Sequence, residues 1–227
     1  MIIFTGASGG LGKDLCKSLS SIDKVAAIYN KNKISFYNKN IIAKKLNLES
    51  ETQIKKFCNL IKKSNKNLTL VFNATTSIDN LLINCSLHEW EKIFRINLNS
   101  TFLFTKYFLS KMIKDKWGRI IFISSILAEK GEIGTASYSS SKSALKGLSS
   151  VISKEYGRFG IRSNIINLGY FNKGLINTFS NKKKNKIKSK IPTQSFGTSK
   201  DIFLTIKCLM ETDYINGEEI NINGGIK

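Results

Sequence analysis

Ile2-Ile-Phe-Thr-Gly-Ala-Ser-Gly-Gly-Leu-Gly12 is the stretch that decides the architecture. Its first four residues are β-branched or aromatic and read as a short buried strand. A glycine-rich turn follows, and Leu15, Leu19 and Ile22 then recur at helical spacing. A strand, a glycine turn and a helix in that order form a context for cradling phosphate. Glycines let the backbone approach a pyrophosphate, and the helix N-terminus offers free N–H groups at the positive end of its dipole. The glycines alone also fit a plain tight turn; their flanking elements favour the cradle.

Working outward, residues 24–29, 41–46, 68–72, 119–123, 162–167 and 217–225 read as further strands. Helical periodicity fills 49–63, 87–112, 143–152 and 199–210. Strands alternating with helices imply an α/β fold, a parallel sheet covered by helices on both faces. No internal repeat or boundary signal interrupts the chain, so residues 1–227 are expected to form one domain. Asn97 and Asn99 fall inside the apolar helix over 87–112, where asparagine is unfavourable without a partner and can accompany a kink. His88, near that helix's start, reads as an N-terminal or surface residue. Residues 175–190 are lysine-dense with few apolar anchors, a poor core element and a candidate mobile lid spanning about 172–192.

A second stretch, Ser124-Ser-Ile-Leu-Ala-Glu-Lys-Gly-Glu-Ile-Gly-Thr-Ala-Ser-Tyr-Ser-Ser-Ser-Lys142, joins the strand over 119–123 to a helix. Tyr138 and Lys142 are four apart and share a helix face. Ser125, at the strand's end, can face them if the helix packs back beside it. Phenol, ammonium and hydroxyl together make a proton-transfer set, because an adjacent cation favours the phenolate. On its own, Tyr-x-x-x-Lys also fits an ordinary helix surface pair.

Composition narrows the function classes. The net charge is +20, but the lysines are spread along the whole chain, with no aromatic-interleaved basic ladder, so nucleic acid is not the expected partner. Attraction of anionic cofactors or an acidic carrier fits better. Four scattered cysteines and a single histidine argue against a zinc site or a disulfide framework; no metal is expected. No apolar run approaches the ~20 residues of a membrane span. The first strand begins at Met1, which leaves no room for a secretory signal, so the cytoplasm is the expected compartment.

These features occur in an order that resembles the short-chain dehydrogenase/reductases over essentially the whole chain. The resemblance rests on Thr5–Gly12, Asn73-Ala74, Asn97, Ser125, Tyr138-x-x-x-Lys142 and Ile215-Asn-Gly-Glu-Glu-Ile-Asn-Ile-Asn-Gly-Gly225. Within the family, Asp79-Asn-Leu-Leu82, Glu89-Trp90, Trp117-Gly-Arg-Ile120, Ile191-Pro192 and Phe196-Gly197 look most like 3-oxoacyl-[acyl-carrier-protein] reductases. The resemblance implies a Rossmann-type doubly wound sheet of seven parallel strands and a catalytic set of Asn97, Ser125, Tyr138 and Lys142. In it, Tyr138 gives a proton to the carbonyl oxygen and Ser125 hydrogen-bonds that oxygen. Lys142 lowers the Tyr138 pKa and binds ribose, and Asn97 holds a relay water. It also implies cofactor contacts at Gly6, Ser8, Gly10, Leu11, Gly12, Asn30, Lys31, Asn47, Leu48, Asn73, Ala74, Thr75, Tyr138, Lys142 and Gly169.

Asn30-Lys31 stands where an acid would bind the ribose 2′-hydroxyl of NAD, which favours NADP(H) over NAD(H). A carbonyl or alcohol substrate, free or bound to an acyl carrier protein, is expected, with Lys116, Arg119 and Arg158 as candidate carrier contacts. A sugar or other small intermediate is the alternative substrate, and a low-turnover scaffold the third reading. A homodimer or homotetramer packed through the helices after the fourth and fifth strands is implied. Four cofactor-side positions depart from the family pattern: Thr75 replaces a glycine, Asn47 an acid, Leu168 a proline and Lys173 a threonine. Gly9 occupies a position that is often basic in NADP enzymes.

Overall fold

Strand β1 (Ile2–Thr5) lies near the middle of a seven-stranded sheet, and its four residues are buried because parallel neighbours flank it on both sides. The computed structural model describes residues 1–34, 38–62, 65–174, 176 and 179–226. The remaining strands are β2 (Val25–Tyr29), β3 (Ile41–Lys45), β4 (Thr69–Phe72), β5 (Gly118–Ser125), β6 (Ile161–Leu168) and β7 (Glu219–Ile222). They run parallel in the order β3-β2-β1-β4-β5-β6-β7. The chain moves outward one way from β1 to β3, then returns to β1's other side at β4. That reversal is the switch point of a doubly wound sheet, and it opens a crevice at the carboxyl ends of the strands.

Side-chain alternation along the strands feeds two cores. On one face, Ile3, Phe72, Phe122 and Ile165 pack with Ile54 and Phe57 of α2 (Glu51–Lys62). Phe104 and Phe108 of α4 (Ser100–Asp115) and Leu145 and Ile152 of α6 (Ala136–Tyr156) complete that core. On the other face, Phe4, Val71, Ile121 and Ile166 meet Leu15 and Leu19 of α1 (Gly10–Leu19) and Ile202 and Leu209 of α8 (Ser199–Glu211). The edge strands β3 and β7 are largely exposed.

Three expectations change in detail. The helix over 87–112 is interrupted: α3 (Leu87–Phe94), capped by Ser86 and Glu89, runs through a π-turn at Arg95–Asn99 into α4. His88 is exposed in the first turn of α3. The lysine-dense stretch contains a regular helix, α7 (Asn181–Lys188), with Ser180 accepting from the Lys183 N–H at 3.3 Å. It is anchored after its end by Ile191, which is 2% exposed. Residues 175, 177 and 178 of the expected lid, and residue 63 at the end of the expected second helix, lie outside the described residues.

The third change concerns Arg119, which cannot dock a carrier. It is buried at the start of β5, where it donates to the carbonyls of Met210, Gly118 and Gly160 and pairs with Asp213.

Candidate active site

The site is assembled from loops at the carboxyl ends of β1, β4 and β5. Gly9 precedes the first turn of α1 and has no side chain to cap it, and that turn contains no acid. Its amides and the positive helix end therefore face the cleft. The loop has no room for side chains at two of its glycines. A Cβ on Gly12 would lie 2.0 Å from the Gly6 carbonyl oxygen, and a Cβ on Gly6, whose φ is +74°, would lie 2.7 Å from Ala74 Cα. Thr5 Oγ1 accepts from the N–H groups of Asn73 and Ala74, each at 3.1 Å, and Asn73 Nδ2 donates to Gly6 O at 3.3 Å. The loops after β1 and β4 are thus one cross-linked platform, and the glycine cradle fits a dinucleotide pyrophosphate.

Asn97 sits in the π-turn and is buried. Its carbonyl accepts from the Thr76 N–H at 2.9 Å and the Thr75 hydroxyl at 3.3 Å. Its amide donates to Thr76 O and Ser141 Oγ, both at 3.0 Å. A single polar side chain in an apolar helix therefore ties the loop after β4 to α6. The π-turn that accommodates it leaves helix carbonyls for other donors, and the Ser100 hydroxyl takes that of Ile96 at 2.7 Å. The described partners of Asn97 are the backbone of Thr76 and two hydroxyls.

Ser125 closes β5, its Oγ accepting from the Leu127 N–H at 3.2 Å at the start of α5 (Leu127–Lys130). Across from it, α6 presents Tyr138 and Lys142. Small buried residues, Ser137, Ser141 and Ser149, let α6 approach the sheet, and Ser149 and Ser163 share a hydroxyl contact of 2.8 Å. Lys142 is buried, donates to Ile123 O at 2.7 Å, and lies 5.9 Å from the centre of the Tyr138 ring. Burial pulls its pKa down from 10.5 to about 8. Burial also raises the Tyr138 pKa; hydrogen bonds from Ser125 and Thr75 act in the opposite direction without reversing it. Desolvation of this phenol thus outweighs the lowering contributions.

A cleft of about 1520 Å³ joins these groups. It is lined by Gly6, Ser8, Gly10, Leu11, Gly12, Asn30, Lys31, Asn47, Leu48, Asn73, Ala74, Thr75, Ser125, Tyr138, Lys142 and Gly169. Asn97 alone of the expected set stands behind the wall. Asn47 Oδ1 already accepts from the Glu49 N–H at 3.0 Å, forming a local turn. Lys173 pairs with Asp14 of α1 and holds that carboxyl below its usual range, while Ser199 Oγ donates to the same Asp14 oxygen at 3.2 Å. Sequence reasoning misses these partners: Thr5, Thr76 and Ser141 as anchors, and Asp14 and Ser199 as the seat of Lys173. It also misses an apolar wall of Leu127, Tyr170, Ile176 and Ile187. Ile187, alone among lysines, is the visible signal for that wall.

The short chain dehydrogenase family matches residues 1–185. The 3-oxoacyl-[acyl-carrier-protein] reductase of Buchnera aphidicola subsp. Baizongia pistaciae is 34% identical, covering 99% of this chain and 96% of that one. The enzyme of the same name from Rickettsia conorii is 31% identical over 99% and 95% of the two chains. In fold, a structure from Beutenbergia cavernae assigned as an NAD(P)-dependent gluconate 5-dehydrogenase, with NADP at low occupancy, superposes with a TM-score of 0.89 at 20% identity, covering 99% of this chain and 95% of that one. A gluconate dehydrogenase assignment from Agrobacterium tumefaciens gives 0.89 at 21% identity, covering 100% and 95%. With the family matched over most of its length and relatives aligned from end to end, the chain belongs to the short-chain dehydrogenase/reductases, NAD(P)-dependent oxidoreductases, and is similar within them to 3-oxoacyl-[acyl-carrier-protein] reductases.

Proposed function

We propose that this chain is a 3-oxoacyl-[acyl-carrier-protein] reductase that uses NADPH to reduce a carbonyl to a hydroxyl. The observation that carries this is the convergence of Ser125, Tyr138 and Lys142 with the glycine loop in one cleft. Support for an acyl thioester comes from the relatives and from the apolar wall of Leu127, Tyr170, Ile176 and Ile187. Lys183, Lys186 and Lys190 place positive charge on the same cleft, which suits an acidic carrier.

Gly6, Ser8, Gly10, Leu11 and Gly12 would hold the pyrophosphate, and Asn47 and Leu48 the adenine side. Asn73, Ala74 and Thr75 would lie along the ribose, with Gly169 completing the contacts. Asn30 and Lys31, with no acid at the end of β2, favour a 2′-phosphate. The bound dinucleotide supplies the hydride. Tyr138 delivers a proton to the carbonyl oxygen, and Ser125 Oγ hydrogen-bonds that oxygen as charge develops on it. Lys142 holds ribose hydroxyls and, as a cation, favours the phenolate left behind. Asn97 keeps the loop over 73–76 in register with Tyr138. Action in the cytoplasm and assembly through α4 and α6, where Phe102 and Val151 remain exposed, belong to the same reading.

An anionic sugar substrate is the competing reading, favoured by the same three lysines. Purified protein with NADPH or NADH, a panel of 3-oxoacyl thioesters and a panel of keto sugars separates the two. Turnover of a thioester supports the proposal, and turnover confined to sugars sinks it. A clear preference for NADH overturns the assignment of Asn30 and Lys31.

A further inference from the structure

Arg95 opens the π-turn between α3 and α4. Its side chain reaches the loop after β3, while Asn97, two residues on, reaches the loop after β4. The guanidinium spans two carboxylates. Its Nε lies 3.4 Å from Glu49 Oε2, and its Nη1 donates at 3.1 Å to Glu91 Oε2, one turn back on α3. Glu49 and its neighbour Leu48 line the cleft, and so does Ile96, next to Arg95. A single turn of helix thus meets both of these loops at the cleft, and π-turns recur at functional sites.

The loop over 47–49 fixes its own backbone. Leu46 N donates to Tyr29 O at 2.9 Å, Asn47 N to Gln53 Oε1 at 3.0 Å and Glu49 N to Asn47 Oδ1 at 3.0 Å. None of these bonds engages the Glu49 carboxylate, which stands on the cleft wall. Left unpaired, a carboxylate there repels the phosphates of an approaching dinucleotide. Arg95 offsets that charge. Its second arm is held by Glu91, so the guanidinium is aimed at Glu49 before any ligand arrives, and less order has to be created on binding.

Resting on the dinucleotide reading above, in which Asn47 and Leu48 lie on the adenine side, we infer that Arg95 is a positioning residue for the adenosine half of the cofactor. It acts through Glu49, screening the carboxylate from the phosphates and holding the loop over 47–49 to the helix. A purely structural role, bracing α3 through Glu91, predicts something different: its loss weakens the fold and does not depend on Glu49.

The test titrates the full chain calorimetrically with adenosine 5′-diphosphoribose, which carries the adenosine half and both phosphates but no nicotinamide. Arg95→Met keeps an apolar stem and loses the charge; it should weaken binding about fivefold, the upper end of what a partly exposed ion pair contributes. Its melting temperature should move by less than about 4 °C. Glu91→Gln should bind the probe like wild type. In a Glu49→Gln background the carboxylate is gone, so adding Arg95→Met should change affinity by less than about twofold. A loss below about twofold in Arg95→Met alone, an equal loss with and without Glu49→Gln, or an equal loss in Glu91→Gln overturns the inference. Each of those outcomes leaves the dinucleotide reading standing, because wild type still binds the probe. Wild-type protein that binds no adenosine 5′-diphosphoribose refutes that reading and the inference with it.

Discussion

Replacing Lys142 with methionine should stabilise the fold while abolishing turnover. The ammonium is buried with no carboxylate paired to it among the described residues, and desolvation pulls its pKa from 10.5 to about 8. That drop corresponds to about 3 kcal/mol by which folding disfavours the charged lysine. Methionine removes this cost but loses the 2.7 Å hydrogen bond to Ile123 O, leaving a carbonyl unpaired at a cost of about 1 kcal/mol. The net expectation at pH 7 is a gain of about 2 kcal/mol, or about 4–8 °C in melting temperature for a chain of this size.

The sign with pH follows from proton binding. Below pH 8 the lysine is charged in both states and its cost is present in full. Between pH 8 and 10.5 the folded state loses its proton first, so the unfolded state binds more protons and wild-type stability rises relative to the variant. The advantage of Lys142→Met should therefore shrink across that window and reverse near its upper end. Urea unfolding of both proteins at pH 7 and at several points up to pH 10.5 measures this. A variant less stable than wild type at pH 7, or a stability difference constant over the window, refutes the reasoning.

Gly12→Ala must displace the Gly6 carbonyl, 2.0 Å from the new methyl, so nicotinamide dinucleotide affinity measured by fluorescence quenching should fall at least tenfold; retention within twofold contradicts the cradle. Asn97→Leu leaves the Thr76 N–H and carbonyl without their side-chain partners and should lower stability by about 2–4 kcal/mol by chemical denaturation; a change under about 1 kcal/mol speaks against the anchor. Reductive kcat/KM should fall as pH rises through about 8, where Lys142 loses its charge, and a flat profile from neutrality well into the alkaline range would remove Lys142 from the proton path. Lys173→Met breaks a partly exposed ion pair with Asp14, so stability should change by less than about 1 kcal/mol; stopped-flow dinucleotide release should nonetheless accelerate, because Gly174 N lies only 2.9 Å from the Cβ position of Gly10.

The sheet is legible in the sequence because each buried strand is a short apolar run closed by a turn, and Ile2–Thr5 with its glycines marks where the winding starts. The edges are harder. Strand β3 spans Ile41–Lys45 and β7 Glu219–Ile222, both half-polar, and their bounds follow from pairing with β2 and β6 more than from composition. Helix α7 reads as a poor core element because its lysines dominate; one isoleucine on the cleft side and Ile191 beyond it suffice to seat it. Tyr138, Lys142 and Ser125 are legible from spacing. Their partners are not, because Thr5 meets Asn73 across 68 residues of sequence, and Asn97 in its π-turn meets Thr76 in the loop after β4 only once the chain has folded.

Burial separates structural from functional cations in this chain. Among the described residues, Arg119 and Lys142 are the buried lysines and arginines. Arg119 donates to three carbonyls and pairs with Asp213, so its charge is matched group by group, as a structural ion requires. Lys142 has one carbonyl of β5 and a tyrosine ring for company. A sequence selected for stability alone would replace it with an apolar residue, and the near-complete satisfaction of buried side-chain polar atoms elsewhere, with Thr105 Oγ1 the exception among the described residues, indicates that such corrections are otherwise made. An under-compensated cation beside a phenol, facing a glycine cradle, is the local loss of stability that the proposed proton-handling role requires. The same reasoning makes the pH-dependent stability of Lys142→Met a test of function as much as of folding. If the charge costs nothing to bury, it has no need of the anionic partner that the proposed proton delivery from Tyr138 would create beside it.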